Sequence, residues 1–289
     1  MCQSQQRTAS ADQNQELFWA VRGGGGNFGV VTSFEYQLHS VGPRVLAGLL
    51  VWPRTMAGDV LRAYRDFTQT APENVGAYAG LATSPDGVPI VVVIGFHHGP
   101  TEEGEALFAP LRRLGPPVAD TLQAMPYTAA QQMLDQLNPP GNRVYWKSSI
   151  LRGIDDEVLD TIVEQAASIP SPLTAALIEF YGGAINRVGT QATAYPLRDA
   201  TYALNAISAW TGAENDAENI AWTRRIWNAV ERLSPGSVYV NFLGVGDEGE
   251  DRVRAAYGPN YARLASIKAT YDPANVFHLN HNIKPDGHA

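Results

Sequence analysis

A chain of 289 residues with 45% apolar and 17% charged side chains is long enough for a sizeable core and has a globular composition. Its net charge of −8 argues against a nucleic-acid partner. The lone cysteine, Cys2, excludes an intramolecular disulfide and argues against a cysteine metal centre.

The opening residues are polar and hold no apolar run of the kind a secretory signal needs. The longest apolar run, residues 88–96, is too short to span a bilayer as a helix. These features, with the single cysteine, lead us to expect a cytoplasmic protein without membrane contact.

In chain order, Asn14 is the expected N-cap of a helix over 15–21, which the glycine run 23–26 ends. Residues 30–39 alternate apolar and polar and read as a half-buried strand. A strand over 45–51 and a helix over 57–69 follow. Strands over 77–83 and 88–97 then flank the turn Ser84-Pro-Asp-Gly87. Thr101 is the expected cap of a helix to residue 114. Residues 137–142 read as a loop and 143–150 as a strand. Asp155 caps a helix to 167, and 173–181 reads as a strand.

Alternation predicts a strand over 202–210. The longest helix is expected over 214–233, with Trp222, Ile226, Val230 and Leu233 on one face. After the turn Ser234-Pro-Gly236, a strand is expected over 237–243 and a helix over 261–271, stopped by Pro273. Without a regular βαβ alternation, these elements predict an α+β fold with a large antiparallel sheet covered by helices.

The run Gly23-Gly-Gly-Gly26-Asn-Phe-Gly29 contains GxGxxG, but a helix precedes it and a strand is expected after it. The dinucleotide fingerprint needs the reverse order, so a Rossmann motif is rejected. A helix cap and turn need one or two glycines, and five in seven positions point to close approach of a ligand or another segment to the backbone.

The stretch Glu16-Leu-Phe-Trp-Ala-Val-Arg-Gly-Gly-Gly-Gly-Asn-Phe-Gly-Val-Val-Thr32 closely resembles part of the flavin domain of berberine-bridge-enzyme-like oxidoreductases, FAD enzymes of the vanillyl-alcohol-oxidase type. Residues 260–277 and Leu279-Asn-His-Asn-Ile283 resemble that family's carboxy-terminal signature. Tyr145-Trp-Lys147, Gly182-Gly-Ala-Ile-Asn-Arg187 and Ala192-Thr-Ala-Tyr-Pro-Leu-Arg198 also resemble it, in the family's order.

The resemblance implies three stretches. Residues 1–37 would be a remnant of the FAD-binding domain, 38–271 the substrate domain, and 272–289 a return segment to the FAD-binding domain. The two chain ends would thus form a partial FAD-binding subdomain. FAD is the implied cofactor, with Gly23, Gly24, Gly25, Gly26, Asn27, Phe28, Gly29, Asn280 and Asn282 beside it. Family members also carry an earlier half of the flavin domain, with a glycine-rich pyrophosphate loop and, in many, a histidine bonded to the flavin. Residues 1–22 match neither, and Cys2 does not stand in the context of a linking cysteine, so a truncated flavin domain is expected.

The implied activity is oxidation of an alcohol, sugar or natural product by hydride transfer to flavin. Asn205 stands where relatives often have Gln or Glu. It can orient a substrate but cannot act as a base. In Tyr239-Val-Asn-Phe242, Phe242 replaces the family's phenolic base. On a strand Tyr239 shares a face with Asn241 and not with Phe242, so it does not simply substitute. Tyr145, Trp146 and Lys147 could line a pocket, or form core with a snorkelling lysine.

Glu179, among apolar strand residues, is a candidate base if burial raises its pKa. Its alternative is an ion pair with an arginine such as Arg187 or Arg198. His97 and His98 point to opposite strand faces, and no metal site is expected. The rivals to a flavin oxidoreductase are a flavin-free descendant acting as a lyase, cyclase or isomerase, and a non-catalytic binding protein. An exposed surface near the glycine run would favour a homodimer or a complementing chain.

Overall fold

The computed structural model describes residues 5–135, 139–233, 237–244, 249–279 and 281–287. Cys2, Asn280, the turn 234–236 and part of the loop 137–142 lie outside them. The chain divides into two compact units. The larger holds residues 38–185 and 199–237, and the smaller holds 1–37, 186–198 and 238–289. Residues 238–271, expected with the large sheet, thus pack with the chain ends.

The larger unit is built on an antiparallel sheet of eight strands: β1 Arg44–Pro53, β2 Val75–Thr83, β3 Pro89–His97, β4 Ala119–Asp120, β5 Gln123–Pro126, β6 Arg143–Leu151, β7 Ala175–Phe180 and β8 Tyr202–Trp210. The strand order is β4-β1-β3-β2-β7-β8-β6, and β5 also pairs with β1. Side chains alternate between the two faces, so register decides what each residue meets. One face carries Leu50, Trp52, Ala79, Leu81, Val93, Ile178 and Leu204.

That face packs under α2 Ala57–Thr70, α3 Thr101–Arg112, α5 Asp156–Ala166 and α7 Asp216–Glu231, through Val60, Leu61, Tyr64, Phe108, Leu159, Trp222 and Ile226. These side chains recur every three or four residues, the spacing of one helix face. Asp155 accepts from the Val158 amide at 3.0 Å and starts α5 as expected.

Thr101 does not cap α3. It is the first helical residue, and Pro100 holds the cap position without a side-chain bond. Asn14 also makes no cap bond to α1 Gln15–Val21. It adopts a left-handed backbone, φ 48°, and its amide donates to the Thr8 carbonyl instead. Leu233 lies beyond α7 and is exposed.

Residues 30–39 form no strand, although they alternate. Val30, Phe34, Tyr36 and Leu38 are exposed, and the Phe34 and Tyr36 rings stack at 5.6 Å. A strand must pair its backbone groups with a neighbour, and alternation alone supplies none. Residues 237–243 are not a strand either: Val240–Phe242 make a 3-10 turn.

The smaller unit holds α1, α8 Glu250–Tyr257 and α9 Tyr261–Tyr271. Its core gathers Trp19, Phe28, Tyr257, Leu264, Ile267 and Ile283. Asn260 ties in the segment 186–198 by donating to the carbonyls of Thr190, Thr193 and Ala194 at 3.0–3.4 Å. Arg263 grips Glu16 with two bonds of 2.8 and 2.5 Å.

His97, at the end of β3, is fully buried. The Asn74 amide nitrogen donates to the His98 carbonyl, which fixes the amide's orientation, so it also donates to His97 Nε2 at 2.9 Å. The ring proton is therefore on Nδ1, which finds no acceptor among the described residues. Burial holds His97 below its ordinary value of 6.5, with His98 adding to the shift and Glu103 opposing it.

A depressed histidine supports folding above the unfolded value and loses that support as pH falls through the window below it. The resistance of the wild type to urea should therefore fall between about pH 7.5 and about pH 5.5. His97→Gln should lose less stability over the same window. Equal losses would reject this role for His97.

Candidate active site

The second face of the large sheet, away from α2, α3, α5 and α7, carries a polar stripe across four strands. Register sets Tyr78 opposite Glu179, Leu177 opposite Asn205, and Ser148 opposite Asn205. Opposed residues of an antiparallel pair point to the same side. Glu179, Asn205 and Ser148 therefore share this face with Trp146, whose indole donates to Asn205 Oδ1 at 3.0 Å.

Asn205 is fully buried, and its amide nitrogen has no hydrogen-bond partner among the described residues. Glu179 is partly buried and accepts from the Tyr181 hydroxyl at 3.1 Å. Burial pushes its carboxyl above the ordinary 4.5, and the Tyr181 bond offsets only part of that shift. No arginine or lysine among the described residues pairs with it. Arg198, one expected partner, donates to Thr193 and lies over the Tyr195 ring. Glu179 is thus a carboxylate whose proton affinity is raised by burial without a neutralising cation, which suits a general base.

Tyr145 does not join the stripe. It lies opposite Ser208 on the helix-covered face, where its hydroxyl accepts from Arg224 Nε at 3.1 Å. Lys147 is on that face too, 4.6 Å from the Trp227 ring centroid. Trp146, between them, is the one of the three that reaches Asn205. Alternation separates 146 from 145 and 147, but it does not say which parity faces the helices.

Tyr239 belongs to the smaller unit. Because it precedes a 3-10 turn, strand parity does not apply. Its hydroxyl accepts from Asn241 Nδ2 at 2.7 Å, and its ring meets Phe242 edge-on at 5.3 Å. Tyr195, which sequence inspection did not single out, meets the same ring at 5.5 Å. Burial raises the Tyr239 phenol despite the Asn241 bond and pushes Tyr195 up to about 12. Both are neutral phenols at physiological pH.

The glycine run has two separate causes. A Cβ on Gly23, whose φ is +134°, would lie 2.4 Å from the Tyr195 amide nitrogen. One on Gly24 would lie 2.6 Å from the Ala20 carbonyl. These two glycines admit other chain segments, not a ligand. Gly25 and Gly26 instead line a cleft of about 550 Å3, with Asn27, Asn241, Tyr257, His281 and Asn282 among its walls. Phe28 is core, and a Cβ on Gly29 would meet nothing within 4 Å.

Asn27 is committed to structure. Its amide donates to the Gly24 and His281 carbonyls at 2.9 and 3.2 Å, and Oδ1 accepts from the Ile283 amide at 3.0 Å. Asn282 Oδ1, by contrast, is buried without a donor among the described residues. A cleft with a bare glycine floor and an orphan acceptor fits a donor-bearing part of FAD, such as its ribityl hydroxyls or ring N–H. Among the described residues no group of three metal-ligating side chains forms, and no helix is long and apolar enough to cross a membrane.

A family model described as "Berberine and berberine like" matches residues 238–284. The FAD-linked oxidoreductase YvdP of Bacillus subtilis is 31% identical over 96% of this chain and 63% of its own length. The crystal structure of 6-hydroxy-D-nicotine oxidase from Arthrobacter nicotinovorans superposes with a TM-score of 0.82 at 26% identity, over 96% of this chain and 63% of that one. Berberine bridge enzyme from Eschscholzia californica shares the fold at 18% identity, with a TM-score of 0.82 over 95% of this chain and 62% of that one. The chain spans about three fifths of the curated relatives it matches.

Proposed function

We propose that this chain is a berberine-bridge-enzyme-like protein that supplies the substrate site and part of the cofactor site of an FAD-linked oxidoreductase. The larger unit is the substrate domain and the smaller the flavin-binding part. The substrate is an alcohol, sugar or oxygenated natural product. The observation that carries this reading is the placement of Glu179 and Asn205 on one sheet face, with the carboxyl raised and no cation paired with it among the described residues.

Gly25, Gly26, Asn241 and Asn282 would hold FAD. Bound FAD supplies a hydride acceptor. Glu179 takes the proton from the substrate hydroxyl, and Tyr181 steadies the carboxylate that does so. Asn205 orients the substrate. The flavin-free alternative loses ground, because curated relatives such as YgaK and YvdP are FAD-linked oxidoreductases by name. A reducing, cytoplasmic setting suits the single cysteine.

Visible absorption of the purified chain, before and after addition of FAD, tests the reading. The expected result is a flavin spectrum that survives gel filtration and bleaches on addition of substrate without oxygen. A protein that stays colourless would reject cofactor binding by this chain.

A further inference from the structure

Ser148 on β6 and Asn205 on β8 are direct register partners, 2% and 0% exposed. Such a pair has its Cβ atoms about 4.5–5.5 Å apart. Trp146 Nε1 can only donate, so its 3.0 Å bond identifies Asn205 Oδ1 and leaves Nδ2 as the free end of the amide. Asn205 Nδ2 and Ser148 Oγ both lack a partner among the described residues. Buried polar groups are nearly always paired. Two neighbouring orphans, one of them an obligate donor, ask for one shared acceptor.

We propose that Ser148 and Asn205 form a two-donor clamp for an oxygen acceptor on the substrate, with Trp146 as the positioning residue that holds the Asn205 amide in its donating orientation. Glu179 lies opposite Ala203, two residues along β8 from Asn205. That diagonal spans about 7–8 Å, somewhat less between Cβ atoms, a distance that a substituted six-membered ring fills. The clamp therefore selects a cyclic substrate with a carbonyl or ether oxygen at one side and the reacting hydroxyl across the ring. The term substrate rests on the oxidoreductase reading, whereas the clamp requires only a ligand.

The test is a titration of the chain, followed through side-chain amide 1H–15N signals, with two probes. 4-Hydroxycyclohexanone carries a hydroxyl and a carbonyl across one ring, and cyclohexanol lacks the carbonyl. The ketone should shift the Asn205 amide signal and bind at least about fivefold more tightly than cyclohexanol. Ser148→Ala should reduce that preference to about twofold, and Ser148→Thr should restore it. Trp146→Phe should also reduce it, by releasing the amide to turn.

Equal affinity for the two probes, or an unmoved Asn205 signal in the wild type, would overturn the clamp. So would a crystal structure with a water bridging both donors that the ketone does not displace. No flavin enters the titration. A chain that stays colourless with added FAD would count against the oxidoreductase and leave the clamp standing.

Discussion

Lys268→Met is expected to destabilise the smaller unit by about 3–5 kcal/mol, the cost of removing one partner from a buried ion pair. Lys268 on α9 is 0% exposed and Asp272 is 5% exposed. The ammonium donates to the Asn27 carbonyl at 2.7 Å, to Asp272 Oδ2 at 2.5 Å and to the Phe277 carbonyl at 2.8 Å. Asp272 in turn accepts from the Val276 and Phe277 amides, both at 2.9 Å. The pair thus joins the glycine run, α9 and the carboxy-terminal segment.

Methionine approximates the lysine stem but strands a buried carboxylate and two carbonyls. Hydrogen exchange at the Val276, Phe277 and Ile283 amides should accelerate, and urea unfolding should shift to lower denaturant. A shift within about 1 kcal/mol of wild type would sink this assignment.

The pH dependence has a definite sign. Burial pushes Asp272 upward, but the Lys268 bond and the two amide bonds outweigh it, and the net value lies below the ordinary 3.8. The stability it contributes is present above the unfolded value and lost as pH falls through the folded one. In Lys268→Met the carboxylate loses its cation and its folded value rises, so the share of acid destabilisation that Asp272 contributes should shrink or reverse.

Under the proposed function, Glu179→Gln is expected to lower kcat by about 10²–10⁴-fold in the flavin-loaded chain, the range for removal of a general base. Gln keeps the size and the acceptor oxygen for Tyr181, so loss of folding is not expected. The base must be ionised, so the wild-type rate should rise with pH through a limb above the ordinary carboxylate value of 4.5. That limb should disappear in the variant. An unchanged kcat, or a limb retained by Glu179→Gln, would transfer the base role elsewhere.

Local periodicity was enough for the elements that carry the site. The alternation over β8 and the helical spacing over α9 match the observed bounds Tyr202–Trp210 and Tyr261–Tyr271, although residues 202–206 of β8 are buried on both faces. The same alternation failed over residues 30–39 and 237–243. It states which side chains would share a face, but not whether another strand is there to complete the backbone bonds.

Site composition was legible only as residue type. A carboxylate and an amide amid apolar strand residues single out Glu179 and Asn205. That Trp146 and Ser148 join them while Tyr145 faces α7 depends on the β6–β8 register. Likewise Lys268 reads as an ordinary surface lysine of a short helix. Only the fold brings the Asn27 carbonyl, 241 residues away, to its ammonium.

For the opening glycines, the sequence by itself determined that the backbone there is crowded or left-handed. Tertiary structure decided that both apply at Gly23, whose φ is +134° and where the atom that forbids a side chain belongs to Tyr195. Steric exclusion acts through space, and no local pattern of residues records it.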